Sequence, residues 1–185
     1  MIRRTLDRLY ALALGLSCLT MVGIALLVLA QILGRLTDRA LIAAGAEPLG
    51  LSIPSLSDFG GFLFVAGVSL ALPATLRAAG HVRVTLLLNF GGPAVSRALT
   101  TLVLICALGL SGFAAWHVTA QAWDSFSFNA VSFGMVRVPL WIPQGVMAAG
   151  FILLAIAVLD ELVCLLSGRT PAFVTAEAER REGGH

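Results

Sequence analysis

Lysine is absent from this 185-residue chain, and acidic and basic residues together make up only 12% of it. A soluble domain carries about 25% charged residues, so a water-facing surface cannot be built at this length. All twelve basic residues are arginine and the formal net charge is +2. That balance excludes the strongly basic patch of a nucleic-acid binder. Cysteine is scarce too. Cys18, Cys106 and Cys164 each fall within an apolar run, and none stands in a CxxC or other metal-ligand spacing. They read as small apolar residues of a packed interior and support no disulfide framework. No nucleophile–base pair, phosphate-binding loop or metal cluster is visible, so the chain is not expected to be an enzyme.

What the chain has instead is hydrophobicity: 58% of residues are apolar, and the mean hydropathy is +0.95. The expected fold class is an all-α integral membrane protein with four transmembrane helices at about 10–33, 59–76, 94–122 and 141–166. Residues 1–168 form the membrane domain, and 169–185 a flexible cytoplasmic tail of mixed charge, glycine and proline.

The organising stretch is Ser57 to Phe90. Phe59 to Leu76 is long enough to cross a hydrocarbon core of about 30 Å. It breaks at Arg77-Ala78-Ala79-Gly80-His81 and restarts as Val82-Arg83-Val84-Thr85-Leu86-Leu87-Leu88. The second piece is too short to span and too apolar for a free loop, so it is expected to lie along the interface after the second helix. Ser57 reads as the N-cap of that helix, with Asp58 in its first turn, where the macrodipole favours an anion. A substrate or ion contact is the other reading of Asp58. Pro73 removes a backbone hydrogen bond and predicts a kink near Arg77.

The first apolar run follows Arg3, Arg4 and Arg8, a start that also describes a signal peptide, and Val28-Leu29-Ala30 imitates a cleavage site. At about 24 residues the run exceeds the 7–15 of a signal core, so it reads as a retained helix. Helix can continue to about Ala44, past an interfacial Gln31, until Gly45, Pro48, Gly50 and Pro54 stop it. The third helix carries a small-residue stripe of Gly109, Ser111, Gly112 and Ala115, where another helix could approach, and Trp116 and Trp123 as interface anchors. Pro139-Leu140-Trp141-Ile142-Pro143 opens the fourth, with Trp141 at headgroup level and Gly145 and Ala149 as a further small pair.

With four spans both termini share a side. That side holds nine arginines (3, 4, 8, 77, 83, 97, 169, 180 and 181) against three (35, 39 and 137) on the other. The positive-inside rule places both termini in the cytoplasm. No ionisable residue lies near the midplane of any apolar run, which removes the usual marker of an ion path or proton relay. Asp160 and Glu161, near the cytoplasmic rim of the fourth helix, are expected to neutralise Arg77, Arg83 or Arg97, or else to snorkel to water. His81 lies at the cytoplasmic junction and His117 near the opposite end of the third helix, so they cannot converge on one haem iron. No cofactor is expected. Small-residue stripes, over-long helices and an interface segment, without a site, describe a chain that supports another membrane protein.

Phe62-Leu63-Phe64-Val65-Ala66-Gly67-Val68-Ser69-Leu70-Ala71-Leu72, then Gly80-His81-Val82-Arg83-Val84 and Leu86-Leu87, resembles the small permease subunit of tripartite ATP-independent periplasmic (TRAP) transporters. So does Val138-Pro139-Leu140-Trp141-Ile142-Pro143-Gln144, leading into Gly150-Phe151-Ile152-Leu153-Leu154-Ala155. The likeness runs from about Arg8 to Leu166. The family often has an acidic residue shortly after the glycine–histidine motif, where this chain has Thr85, and commonly Glu where Asp58 keeps the charge. The resemblance implies a multi-pass protein of the bacterial inner membrane, surrounded by membrane lipids. Its partners would be a large permease subunit that carries the substrate and sodium sites and a periplasmic substrate-binding protein that delivers an organic acid. The small subunit would act as a scaffold, with the segments Gly34 to Ser57 and Asp124 to Val138 helping to dock the binding protein. Asp58, Arg77, His81, Arg83, Trp141, Pro143, Asp160 and Glu161 are the residues expected at partner interfaces. The alternative is a membrane anchor or assembly subunit of an unrelated complex, such as a respiratory one.

Overall fold

A computed structural model describes residues 2–51, 53–78, 92–168 and 170–176. His81, Arg83 and the interface segment 82–88 lie outside the described residues, as does the tail beyond 176. Four helices account for most of the rest: α1 (Ile2–Ala43), α2 (Leu56–Arg77), α3 (Gly92–Ser127) and α4 (Trp141–Leu166). Each contains a window long and apolar enough to cross a membrane. In hydrocarbon a backbone must satisfy its own hydrogen bonds, and a helix does so within one segment. At 1.5 Å per residue α2 is roughly 33 Å long, a bare crossing, whereas α1 is roughly 63 Å and α3 roughly 54 Å. The two long helices must therefore tilt or protrude.

The helices pack in the order α1–α2–α4–α3, each chiefly against its neighbour in that row. The central pair is held by backbone-level approach. A Cβ built on Gly150 of α4 would fall 2.5 Å from the carbonyl carbon and oxygen of Ser69 on α2. On the other side of α2, a Cβ on Gly67 would fall 2.5 Å from Thr20 Oγ1 and from Met21 Cε of α1. The Ser17 hydroxyl donates to Gly67 O at 2.7 Å. On α1 the buried stripe is Tyr10, Ala13 and Ser17, and it resumes at Gln31 and Gly34. Most of that helix's other large side chains face outward.

Pro73 is fully buried inside an α2 that runs unbroken from Leu56 to Arg77. It has no N–H for Ser69 O four residues earlier, and that carbonyl is the one Gly150 lies against.

Two expectations change, at the start of α2 and in the tail. The residue that starts α2 is Ser55, in the left-handed region at φ 54°, not Ser57. Its hydroxyl caps nothing in α2 because it accepts the Val136 N–H at 3.1 Å. Of the α3 stripe, Ser111 and Ala115 are buried within the chain, while a Cβ on Gly109 or Gly112 would meet nothing within 4 Å, so those two stay open to a helix from outside the chain. Nor does Gly145 make a close contact; on α4 that part falls to Gly150. Finally, the tail does not run free from residue 169. A helical turn at 172–176 folds back on the bundle, and Phe173, 4% exposed, packs with Leu104 of α3 and Val158 and Leu162 of α4. Burying an aromatic ring outweighs the polar composition around it.

Candidate functional site

Three regions stand out as candidate sites. The first joins the helix ends on the side of the N-terminus. Glu161 is 0% exposed in the last turns of α4, a position no carboxylate holds without partners. Its Oε1 faces Arg77 Nε at 3.5 Å, and its Oε2 accepts the Ala172 N–H of the returning tail at 2.7 Å. Arg77, at the end of α2, also pairs with Asp7 near the start of α1 and lies 5.3 Å from the centroid of the buried Tyr10 ring. Asp160 acts on the same tyrosine electrostatically. Next to this cluster, Arg97 Nη2 of α3 donates to Leu165 O at 3.0 Å, satisfying a terminal carbonyl of α4. One arginine–carboxylate knot thus joins α1, α2, α4 and the tail. The structure brings Arg77 and Glu161 together, with Asp160 beside them, while Arg97 serves a backbone carbonyl instead.

The second region lies at the opposite end. The chain leaving α1 turns back along it. Gln31, Gly34 and Asp38, on one helical face, receive it: Gln31 Oε1 accepts the Ile53 N–H at 2.7 Å, and Asp38 Oδ1 accepts those of Leu49 and Gly50 at 2.9 and 3.2 Å. A Cβ on Gly34 would overlap Leu51 O. Gln31 is therefore a buried acceptor. The α3–α4 connection folds on itself, with Ser132 N donating to Val138 O at 2.9 Å and Leu140 N to Ala130 O at 3.0 Å. It meets α2 through Ser55, and a side chain on Gly134 would collide with the Asp58 carboxylate. Asp58 thus stands in the first turn of α2, as expected, and under a neighbouring loop.

The third region is a groove of about 830 Å³ along α2, walled by α1 and α4. Leu16, Leu19 and Thr20 form one wall; Phe59, Phe62, Leu63, Ala66 and Leu70 the floor; Trp141, Pro143, Gly145, Val146 and Ala149 the other wall. Trp141 and Pro143 are thereby placed on the groove, and the small pair Gly145 and Ala149 lines it. Beyond Trp141, Phe126 meets its ring edge-on at 5.7 Å, and Trp123 lies 6.2 Å from Phe126. His117 is on the exposed side of α3, 4.2 Å from the Phe113 ring. Among the described residues no group of three His, Cys, Asp or Glu side chains can hold a metal ion.

Sequence reasoning missed Gly67, Gly150, Tyr10 and Phe173, and it left the bonding role of Gln31 unread. The two glycines did carry a signal: both lie in the family-like stretches, and Ser69 stands four residues before a helical proline.

A family model described as "Tripartite ATP-independent periplasmic transporters, DctQ component" matches residues 24–168. Among curated proteins, none matches the chain.

Proposed function

We propose a role for this chain from the family to which it belongs, the DctQ component of tripartite ATP-independent periplasmic transporters. Members are the small permease components of those transporters, not enzymes, and their family role is to work with the large DctM permease and a periplasmic binding protein. Within that role the chain is a static brace. It holds the large subunit in the inner membrane while that subunit moves an organic acid, driven by sodium. The termini face the cytoplasm, as the arginine distribution favours. The knot of Arg77 and Glu161 fixes one end of the row of helices. The folded connections at the other end face the periplasm, where the binding protein arrives.

The observation that carries this reading is the groove. It is apolar, bounded by three helices that are themselves tied together, floored by aromatic and aliphatic side chains, and opened on the α4 wall by Gly145 and Ala149, where a helix can approach. Its occupant in the complex is a helix of the large subunit. A brace also needs no ionisable residue in mid-membrane, and the apolar runs have none.

Filling the groove tests the assignment. Ala149→Trp should abolish co-purification of the chain with its large permease, while Leu110→Trp, on the exposed outer face of α3, should leave it intact. Equal recovery of the two complexes would remove the groove from the interface.

A further inference from the structure

The connection between α3 and α4 carries its large side chains outward. Phe128 is 82% exposed, Met135 87%, and Phe133 wholly so. From Ser125 to Val136 there is no charged residue. A loop in water is normally polar, so this composition calls for an apolar neighbour.

Its depth follows from α2. That helix has 22 residues, roughly 33 Å at 1.5 Å per residue, only about two residues more than a hydrocarbon core of about 30 Å needs. Asp58 therefore marks the membrane boundary at its start. Gly134 lies against the Asp58 carboxylate, which puts Phe133 and Met135, on either side of it, at that same boundary. The loop's polar groups are largely turned inward. Ser132 N donates to Val138 O, Val138 N to Ser132 Oγ, Ser132 Oγ to Val136 O and Val136 N to Ser55 Oγ. Such a loop can enter a poorly hydrated layer without leaving these donors unmet. The ring series Trp123, Phe126 and Trp141 lies at the same end of the helices, where aromatic side chains settle among lipid headgroups.

We infer that the tip of this loop is a lipid anchor, with Phe133 and Met135 inserted at the headgroup–acyl boundary of the leaflet next to Asp58. The loop pins the starts of α2 and α4 at a fixed depth. It does so for either orientation of the chain, and independently of what fills the groove.

Spin labels decide it. The complex with its large permease is prepared with Cys18, Cys106 and Cys164 replaced by alanine. Phe133→Cys and Met135→Cys are labelled one at a time in vesicles of phosphatidylethanolamine and phosphatidylglycerol. Labels at Leu110→Cys and Ala46→Cys give the lipid and water references. Both loop labels should be relaxed by oxygen severalfold more than by an aqueous nickel chelate, as at Leu110. Nickel relaxation matching Ala46 would mean a water-facing loop, and shielding from both agents a loop covered by protein; either overturns the anchor. If one variant fails to assemble, the other carries the same test.

Discussion

Gly150 of α4 lies so close to the Ser69 carbonyl of α2 that a methyl group in its place would fall 2.5 Å from that oxygen. The carbonyl is the one that Pro73 leaves without its helical donor. A helix carbonyl without its own N–H is thus covered by the one residue type able to reach it.

Gly150→Ala meets backbone, which cannot swing away. Overpacking of this kind costs about 1–3 kcal/mol. Gly67→Ala meets the Met21 terminus and the Thr20 hydroxyl, of which the first is a flexible end, so its cost should be smaller. Gly109→Ala and Gly112→Ala meet nothing and, by removing a helix glycine, should match the parent or gain up to about 1 kcal/mol. Thermal unfolding of the purified variants in one detergent ranks them, with Gly150→Ala least stable.

The buried pair of Arg77 and Glu161 predicts an asymmetry. Glu161→Ala leaves Arg77 short of a partner and the Ala172 N–H without its acceptor. Loss of one member of a buried pair costs about 3–5 kcal/mol, less here because Asp7 still holds Arg77. Glu161→Gln keeps an acceptor for Ala172 and should lose less. Denaturation of the two variants compares them directly.

Phe173 anchors the returning tail, and removing a buried phenylalanine ring costs about 3–5 kcal/mol where the rest stays in place. A short terminal turn can instead let go. Cys164 is buried beneath it, its Sγ donating to Thr170 O at 3.4 Å. Maleimide should therefore label Cys164 slowly in the parent and markedly faster in Phe173→Ala, in a background lacking Cys18 and Cys106. Unchanged labelling would show that the turn stays closed without its ring.

Gln31→Leu removes the acceptor for the Ile53 N–H. An unmet, partly buried donor costs about 1–3 kcal/mol, and the segment returning along α1 should loosen first. Limited proteolysis should cut between residues 44 and 55 faster in the variant, with the helices unaffected.

How legible this was depends on the range of each interaction. The four spans were readable because hydrophobicity over some twenty residues is a local sum, and the family motifs sit inside them. Ser55 was passed over for Ser57 because its hydroxyl serves Val136, 81 positions away. Small residues announce that some face can be approached closely. They do not say which, so Gly109 and Gly145 looked as good as Gly67 and Gly150. The pairing of Arg77 with Glu161 could be framed from rim positions alone, whereas Tyr10 and Asp7 joined it only through the packing of α1 on α2. In the tail a single phenylalanine among charges and alanines gave no composition signal, and only the slot between α3 and α4 explains its place.

The central claim is that this chain braces a carrier and is not one. Its direct test is uptake into sodium-gradient vesicles of the radiolabelled solute bound by the companion periplasmic protein. The account predicts accumulation when the chain, the large permease and the binding protein are present together, and none with the chain as the only membrane protein. Accumulation by the lone chain would contradict it.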